Sequence, residues 1–162
     1  MDLYLMRHGE AEDESVDPRR PLTAQGRASV ERIAATAAAA RMRVDRLYHS
    51  GILRAQQTAE ILAAHLGARD RLTARPGLAP LDPVEPAIRA ILADAAAQDL
   101  QAVAVVGHLP FVETLTARLV AGDEAARVAV FATGSLARLV PGPGRDRYAI
   151  AWLLTAELAR PA

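Results

Sequence analysis

The amino-acid sequence predicts a three-layer α/β/α sandwich built on a mostly parallel sheet. Two observations indicate this class: short apolar runs alternate with longer helical segments, and the last two runs flank a turn sequence. Alternating strands and helices give parallel strands, whereas a closing hairpin adds an antiparallel edge. We expect residues 1–162 to form one domain, because this length suits one hydrophobic core.

Strands are predicted where an apolar run is short and ends at a polar residue or a glycine. The first run leads into Arg7, and the clearest buried run leads into Gly107. The segment from Pro141 to Gly144 turns the chain between two alternating segments and so predicts a hairpin. The predicted strands are 3–6, 46–49, 72–74, 102–106, 135–140 and 148–154.

Helices are predicted for the longer segments between these strands. Thr23 is a suitable N-cap for an Ala-rich first helix, and Gly67 ends the second. Pro86 is tolerated in the first turn of the third, and Pro110 stands where the fourth can begin. The predicted helices are 24–41, 52–66, 84–97 and 111–120, with loops at 10–20 and 77–86.

Composition narrows the function classes. The formal net charge is zero, which argues against a nucleic-acid binder, and all 19 basic residues are arginine, whose planar guanidinium suits phosphate oxygens. The absence of cysteine excludes a disulfide framework, a Cys-ligated metal and a Cys nucleophile. Neither a signal-peptide pattern nor a membrane-spanning apolar run is present, so we expect a cytoplasmic protein without membrane contact.

Candidate site residues stand just past the ends of predicted strands, where α/β proteins bind ligands. They are Arg7-His8-Gly9-Glu10, Ser50 with Arg54, and Gly107-His108. A neutral imidazole is a good nucleophile, and arginines neutralise phosphate oxygens. Gly9 lets the backbone approach a ligand, and the helix near Pro110 would direct its positive end at an anion. These parts predict a phosphoryl-transfer site that needs no metal.

A metal site is the competing interpretation of the same residues. Its ligands would be His8, Glu10 and His108, but Arg7 and Arg54 would repel the ion. The remaining histidines have no supporting context, and we expect them to be structural or surface residues.

Three motifs together resemble a known family. Residues 5–11 read Leu-Met-Arg-His-Gly-Glu-Ala and resemble the signature of the histidine phosphatase superfamily, which includes phosphoglycerate mutases and acid phosphatases. Residues 50–59, Ser-x-x-x-Arg-Ala-x-x-Thr-Ala, resemble its second arginine motif, and residues 106–108, Val-Gly-His, resemble its second histidine motif. The three occur in the family's order and span nearly the whole chain. The resemblance implies a phosphoglycerate mutase-like fold.

A closer resemblance is to the small bacterial phosphohistidine phosphatases of the SixA type, which are similarly short and lack large insertions. Residues 20–23, Arg-Pro-Leu-Thr, and 108–110, His-Leu-Pro, match segments of that group. The resemblance implies that His8 is transiently phosphorylated and that water then attacks it. It implies that phosphate is bound by Arg7, Arg20, Arg54 and His108, and we assign Gly9 to the same phosphate-binding set. Ser50 would lie near the site or cap the next helix, and we favour the cap.

One departure from the family bears on the substrate. Larger members carry a carboxylate before the third helix as proton donor, and their Leu-x-Glu falls here on residues 78–80, Leu-Ala-Pro. Glu10, Asp82 and Glu85 are the remaining candidate acids. A ring-protonated phosphohistidine leaves as neutral imidazole and needs little help from an acid near pH 7.

The sequence therefore favours hydrolysis of phosphohistidine on a signalling protein of the histidine-containing phosphotransfer type, without a cofactor. Two alternatives stay open at this point. The first is a general acid phosphatase or a phosphatase for a small phosphorylated molecule. The second is a non-catalytic phosphate-binding module.

Overall fold

Six strands and four α-helices make up the computed structural model, which describes residues 1–144 and 146–159. The strands are β1 (Asp2–Arg7), β2 (Arg46–His49), β3 (Leu72–Ala74), β4 (Ala102–Gly107), β5 (Leu136–Pro141) and β6 (Tyr148–Leu154). The helices are α1 (Ala24–Ala39), α2 (Leu53–His65), α3 (Val84–Gln98) and α4 (Phe111–Val120). Residues 160–162 of the predicted domain, and residue 145 in the hairpin connection, lie outside the described part.

Every predicted strand and helix is present, with small shifts at the ends. The Thr23 side chain accepts a hydrogen bond from the Gly26 N–H, which confirms the predicted N-cap of α1. That helix ends at Ala39, before the predicted residue 41, and Arg41 adopts a left-handed φ of 58°. None of the helices within the described ranges is long and apolar enough to cross a bilayer.

The sheet has the strand order β3-β2-β4-β1-β5-β6. The pairs β1–β4, β2–β4 and β2–β3 are parallel, whereas β5 is antiparallel to both β1 and β6. This arrangement confirms the predicted mostly parallel sheet with an antiparallel edge formed by the last two strands.

Helices cover both faces of the sheet because its strand residues alternate between two apolar clusters. One cluster joins Tyr4, Met6 and Val106 to side chains of α1 and α2. The opposite cluster joins Leu5 and Val105 to side chains of α3 and α4. The predicted three-layer sandwich is thereby confirmed.

The register of β1 and β4 places the two motif histidines side by side. Arg7 pairs with Gly107 at the carboxyl ends of these parallel neighbours, so His8 and His108 leave the sheet together. The His8 N–H continues the ladder by donating to the Gly107 carbonyl oxygen, at 3.0 Å. Two histidines a hundred positions apart in the sequence thus meet at one edge of the sheet.

The loop after β1 rests directly on the first helix. A Cβ at Gly26 would lie 2.1 Å from the Glu10 carbonyl oxygen, which is backbone and has little freedom to move. Only glycine therefore allows α1 to approach the segment that follows His8 this closely.

We predict that Gly26→Ala destabilises the protein, although the same change in an exposed helix interior stabilises by about 1 kcal/mol. The added methyl group must displace the Glu10 backbone, and such overpacking costs about 1–3 kcal/mol. Urea denaturation of Gly26→Ala measures the loss. The exposed neighbour Gln25 supplies a matched control, since Gln25→Ala meets no such contact and should leave the midpoint unchanged or slightly higher. A Gly26→Ala protein as stable as this control would contradict the account.

Candidate active site

Two hydrogen bonds fix the tautomer of His8. Its Nδ1 lies 2.7 Å from the Gly9 carbonyl oxygen, which can only accept a hydrogen bond. Its Nε2 lies 3.2 Å from the Arg54 Nε–H, which can only donate one. Both contacts require the proton on Nδ1. The Nε2 lone pair is therefore the reactive position of the ring.

His108 lies next to His8 and is almost fully buried. The ring centroids are 5.0 Å apart and the planes are tilted by 54°. The Nε2 atom of His108 lies 2.7 Å from the Ser50 hydroxyl oxygen, which also accepts from the Ile52 N–H at 3.3 Å. Ser50 thereby links the end of β2 to the end of β4.

The favoured expectation that Ser50 caps α2 is wrong. The N-cap residue is Ile52, and it makes no side-chain capping bond. The chain takes two further residues to turn before the helix begins, which leaves the Ser50 hydroxyl beside His108. The other expectation, a place near the site, is the one that the structure supports.

Three arginines surround His8 and act on its charge. Main-chain carbonyl groups hold two of them: Arg7 Nη1 donates to Phe131 O at 2.7 Å, and Arg20 Nε donates to Glu12 O at 3.0 Å. Arg54 stands in the first turn of α2 and points its Nε–H at His8. The arginines predicted from three distant segments are thus brought to one place.

Burial and positive charge keep both imidazoles neutral near pH 7. Burial is the main cause that lowers the pKa of His8 to about 4, and the charges of Arg54, Arg7 and Arg20 add to it. Burial also lowers the pKa of His108 to about 3, helped by His8 and Arg54. A neutral His8 keeps its Nε2 unprotonated, with the lone pair accepting the hydrogen bond from Arg54.

Thr58 connects the two motifs that carry His8 and Arg54. Its hydroxyl accepts from the Gly9 N–H at 3.0 Å and donates to the Arg54 carbonyl oxygen at 2.7 Å. The side chain is fully buried, so both bonds are shielded from water. Thr58 stands in the second arginine motif, one helical turn after Arg54. This spacing was the available signal, but its role in holding Gly9 was not predicted.

A second connection positions Arg7 from the far side of the sheet. Glu113, on α4, accepts a hydrogen bond from the Phe131 N–H at 3.0 Å, and the Phe131 carbonyl oxygen accepts from Arg7. Burial lowers the pKa of the Arg7 guanidinium, and the Glu113 charge partly offsets this by favouring the cationic form. No motif marks Glu113 or Phe131, because the contacts join segments that are far apart in the sequence.

Gly9 is glycine for a packing reason. A Cβ there would lie 2.7 Å from Val30 Cγ2 and 3.1 Å from the Gly26 carbonyl oxygen, both on α1. We expected Gly9 to let the backbone approach a ligand. The position that a side chain of Gly9 would occupy instead faces α1. The contribution of Gly9 to the site is its carbonyl group, which holds Nδ1 of His8.

The three candidate acids have different surroundings. Glu10 is exposed, and its carbonyl oxygen accepts from the Thr23 N–H. Asp82 closes its own turn by accepting from the Ala79 N–H at 2.8 Å. Glu85 forms an ion pair with Arg118, at 3.0 Å.

The structure also bears on the metal site considered above and on the two remaining histidines. Within residues 1–144 and 146–159, no three His, Asp or Glu side chains are grouped as metal ligands, so His8, Glu10 and His108 do not form such a set. His49 is buried and accepts from the Gly51 N–H, whereas His65 pairs with Glu31 on α1. Both lie apart from the contacts of His8, as expected of structural or surface residues.

We predict that His8 and His108 stay neutral in the folded protein from pH 8 to about pH 5. Unfolded histidines titrate near pH 6.5. Since the folded pKa values are lower, the unfolded state binds more protons below pH 6.5, and stability falls as the pH drops towards 4. NMR titration of the ring Cε1–H signals tests this, with the urea-unfolded chain as control. Arg54→Gln should raise the pKa of His8, and a midpoint near 6.5 in the folded wild type would contradict the prediction.

The chain is similar to known proteins of one family. The sequence profile of the histidine phosphatase superfamily (branch 1) matches residues 3–82. The phosphohistidine phosphatase SixA of Escherichia coli (strain K12) is 32% identical over 124 residues, which are 76% of this chain and 76% of that protein. The match to this relative covers the larger part of both chains.

Solved structures extend the likeness to the fold. The protein histidine phosphatase SixA complexed with tungstate matches with a TM-score of 0.84 and 27% identity, over 96% of this chain and 97% of that chain. A phosphoserine phosphatase from Entamoeba histolytica shares the fold with a TM-score of 0.74 and 13% identity, over 97% and 98% of the two chains. The family predicted from the motifs is confirmed: the chain belongs to the histidine phosphatase superfamily, and its relatives include phosphohistidine phosphatases of the SixA type.

Proposed function

We propose that this protein is a phosphohistidine phosphatase in which His8 is the nucleophile. The observation that carries the proposal is the fixed tautomer of His8, whose Nε2 lone pair lies against Arg54 and beside His108. An unprotonated nitrogen among fixed cations suits attack on a phosphoryl group, because the cations attract the phosphate oxygens. Membership of the superfamily supports phosphatase activity.

In the first step, the Nε2 lone pair attacks phosphorus and the P–N bond of the substrate phosphohistidine breaks. The electron pair of that bond returns to the departing imidazole, which is protonated on its other nitrogen and leaves neutral. Arg7, Arg20, Arg54 and His108 hold the phosphoryl oxygens. The new bond makes the His8 ring cationic, and the Gly9 carbonyl oxygen stabilises that charge through the Nδ1–H.

In the second step, water attacks phosphorus and the bond to His8 Nε2 breaks. The electron pair returns to Nε2, so that His8 recovers its neutral tautomer with the proton still on Nδ1. The water oxygen stays on phosphorus, one of its protons leaves with inorganic phosphate, and the other passes to solvent. The chain's own cations supply the charge stabilisation throughout, so we propose that the reaction needs no metal.

The surroundings of the carboxylates support phosphohistidine over an alkyl phosphate as substrate. An alkoxide needs a proton as it leaves, whereas a ring-protonated phosphohistidine does not. Glu85 is held by Arg118 and Glu10 points to solvent, so neither has a contact that would direct it at a leaving group.

The expectation of a cytoplasmic location stays a prediction.

A phosphatase for small phosphomonoesters is the second candidate, and Asp82 is the observation in its favour. Asp82 belongs to the same loop as Leu78. The Leu78 carbonyl oxygen lies 3.9 Å from the point where a Cβ on Gly107 would stand. Asp82 thus belongs to a loop that passes the end of β4, the strand that leads to His108. An acid there would assist an alcohol leaving group, and Asp82→Asn would then abolish monoester hydrolysis selectively.

We predict that the wild type hydrolyses a phosphorylated histidine-containing phosphotransfer protein with a kcat/KM well above that for any phosphomonoester, with chelator present. His8→Ala should lower this activity by about a thousandfold or more, because the nucleophile is lost. His65→Ala is the matched control, since His65 is half-exposed on α2 and contacts Glu31.

Each contrary result has its own meaning. Preferred turnover of monoesters would move the assignment to the second candidate. Full activity in His8→Ala would contradict the nucleophile. Phosphate binding without turnover by the wild type would indicate a non-catalytic binding module, and loss of activity with chelator would contradict metal independence.

A further inference from the structure

Three loops around the two histidines each present a large aliphatic side chain to solvent. Val16 is 70% exposed, Leu81 87% and Val130 82%. Isolated exposed aliphatic residues are ordinary on protein surfaces, whereas a group of them around one site marks a contact surface. Whether the three residues form such a surface therefore depends on where each loop lies relative to His8 and His108.

Val16 lies at the tip of the loop that carries Arg20. The base of this loop is closed by a bond from the Glu12 N–H to the Pro21 carbonyl oxygen at 2.8 Å, and Arg20 is held inside it by Glu12 O. The charge of Arg20 acts on His8, so the loop stands beside the reactive ring. Val16 is thus an exposed aliphatic residue of the loop that supplies Arg20.

Leu81 and Val130 stand next to backbone groups that contact the site. Leu81 is at the tip of the turn that Asp82 closes, in the loop whose Leu78 carbonyl oxygen lies over Gly107. Val130 precedes Phe131, whose carbonyl oxygen holds Arg7. The three aliphatic side chains thus belong to three separate loops, each of which reaches the surroundings of His8 or His108 through another of its residues.

The charge of the loop that carries Val16 adds a second property to this surface. Its carboxylates are Glu10, Glu12, Asp13, Glu14 and Asp17, of which Asp17 pairs with Arg19 at 3.3 Å. Carboxylates on one side of a cationic site repel a free phosphate dianion at long range and attract a partner with cations near its phosphoryl group.

We propose that Val16, Leu81 and Val130 form a docking surface for a protein that presents its phosphohistidine among aliphatic and cationic side chains. This inference rests on the proposed function, because the docked phosphohistidine must reach His8. A protein surface is broad enough to cover three loops at once, and burial of the aliphatic tips then contributes to binding. These three side chains thus contribute affinity for the protein substrate in addition to that of the phosphate-binding residues.

The test compares a protein substrate with a small one. The triple variant Val16→Ser, Leu81→Ser, Val130→Ser is assayed with a phosphorylated histidine-containing phosphotransfer protein and with phosphoramidate, which has the same P–N bond. We expect the KM for the protein to rise at least tenfold with little change in kcat, and turnover of phosphoramidate to stay within twofold. Leu158→Ser is the matched control, since Leu158 is 71% exposed on the segment after β6, and its kinetics should equal those of the wild type.

An unchanged KM for the protein would overturn the docking surface, as would an equal loss with both substrates or the same loss in Leu158→Ser. The single variant Leu81→Ser, which changes an exposed turn tip, provides the readout if the triple variant folds poorly. Glu14→Gln should raise the KM for the protein and weaken its dependence on salt. A wild type that hydrolyses monoesters but not the phosphoprotein contradicts the proposed function itself, and the docking surface with it.

Discussion

The parallel pairing of β1 with β4 is the constraint on which the site depends. Their register sets Arg7 opposite Gly107, so the next residue of each strand is a histidine at the same edge of the sheet. A slip of one residue would turn every side chain of β1 to the other face and separate the rings. Because both faces of these strands are buried under helices, the two apolar clusters hold the register firmly.

Further interactions convert this pairing into a reactive centre. Gly26 and Gly9 let α1 pack against the segment that follows β1, and Thr58 ties that segment to α2. These contacts hold the Gly9 carbonyl group, which keeps the proton of His8 on Nδ1. The chemistry proposed for Nε2 thus depends on close packing between two helices and one loop.

The sequence predicted the fold because the signals for helices and strands are local. An alternating run, a helix cap or a glycine at a helix end each indicates the structure of its own segment. The motif residues likewise fell at strand ends, and the topology brought them together. The contact of Ser50 with His108 was missed because a serine before a helix has the same local pattern as a cap. The bonds from Glu113 through Phe131 to Arg7 carry no local signal at all.

The central claim is that Nε2 of His8 carries the phosphoryl group during turnover. The most direct test is to mix the enzyme with a phosphorylated histidine-containing phosphotransfer protein, quench at neutral or alkaline pH and locate the phosphoryl group by peptide mass spectrometry and ³¹P NMR. We predict phosphate on His8, bonded to Nε2. Phosphate on Nδ1, or on another residue while His8 stays unmodified, would contradict the tautomer and the mechanism built on it.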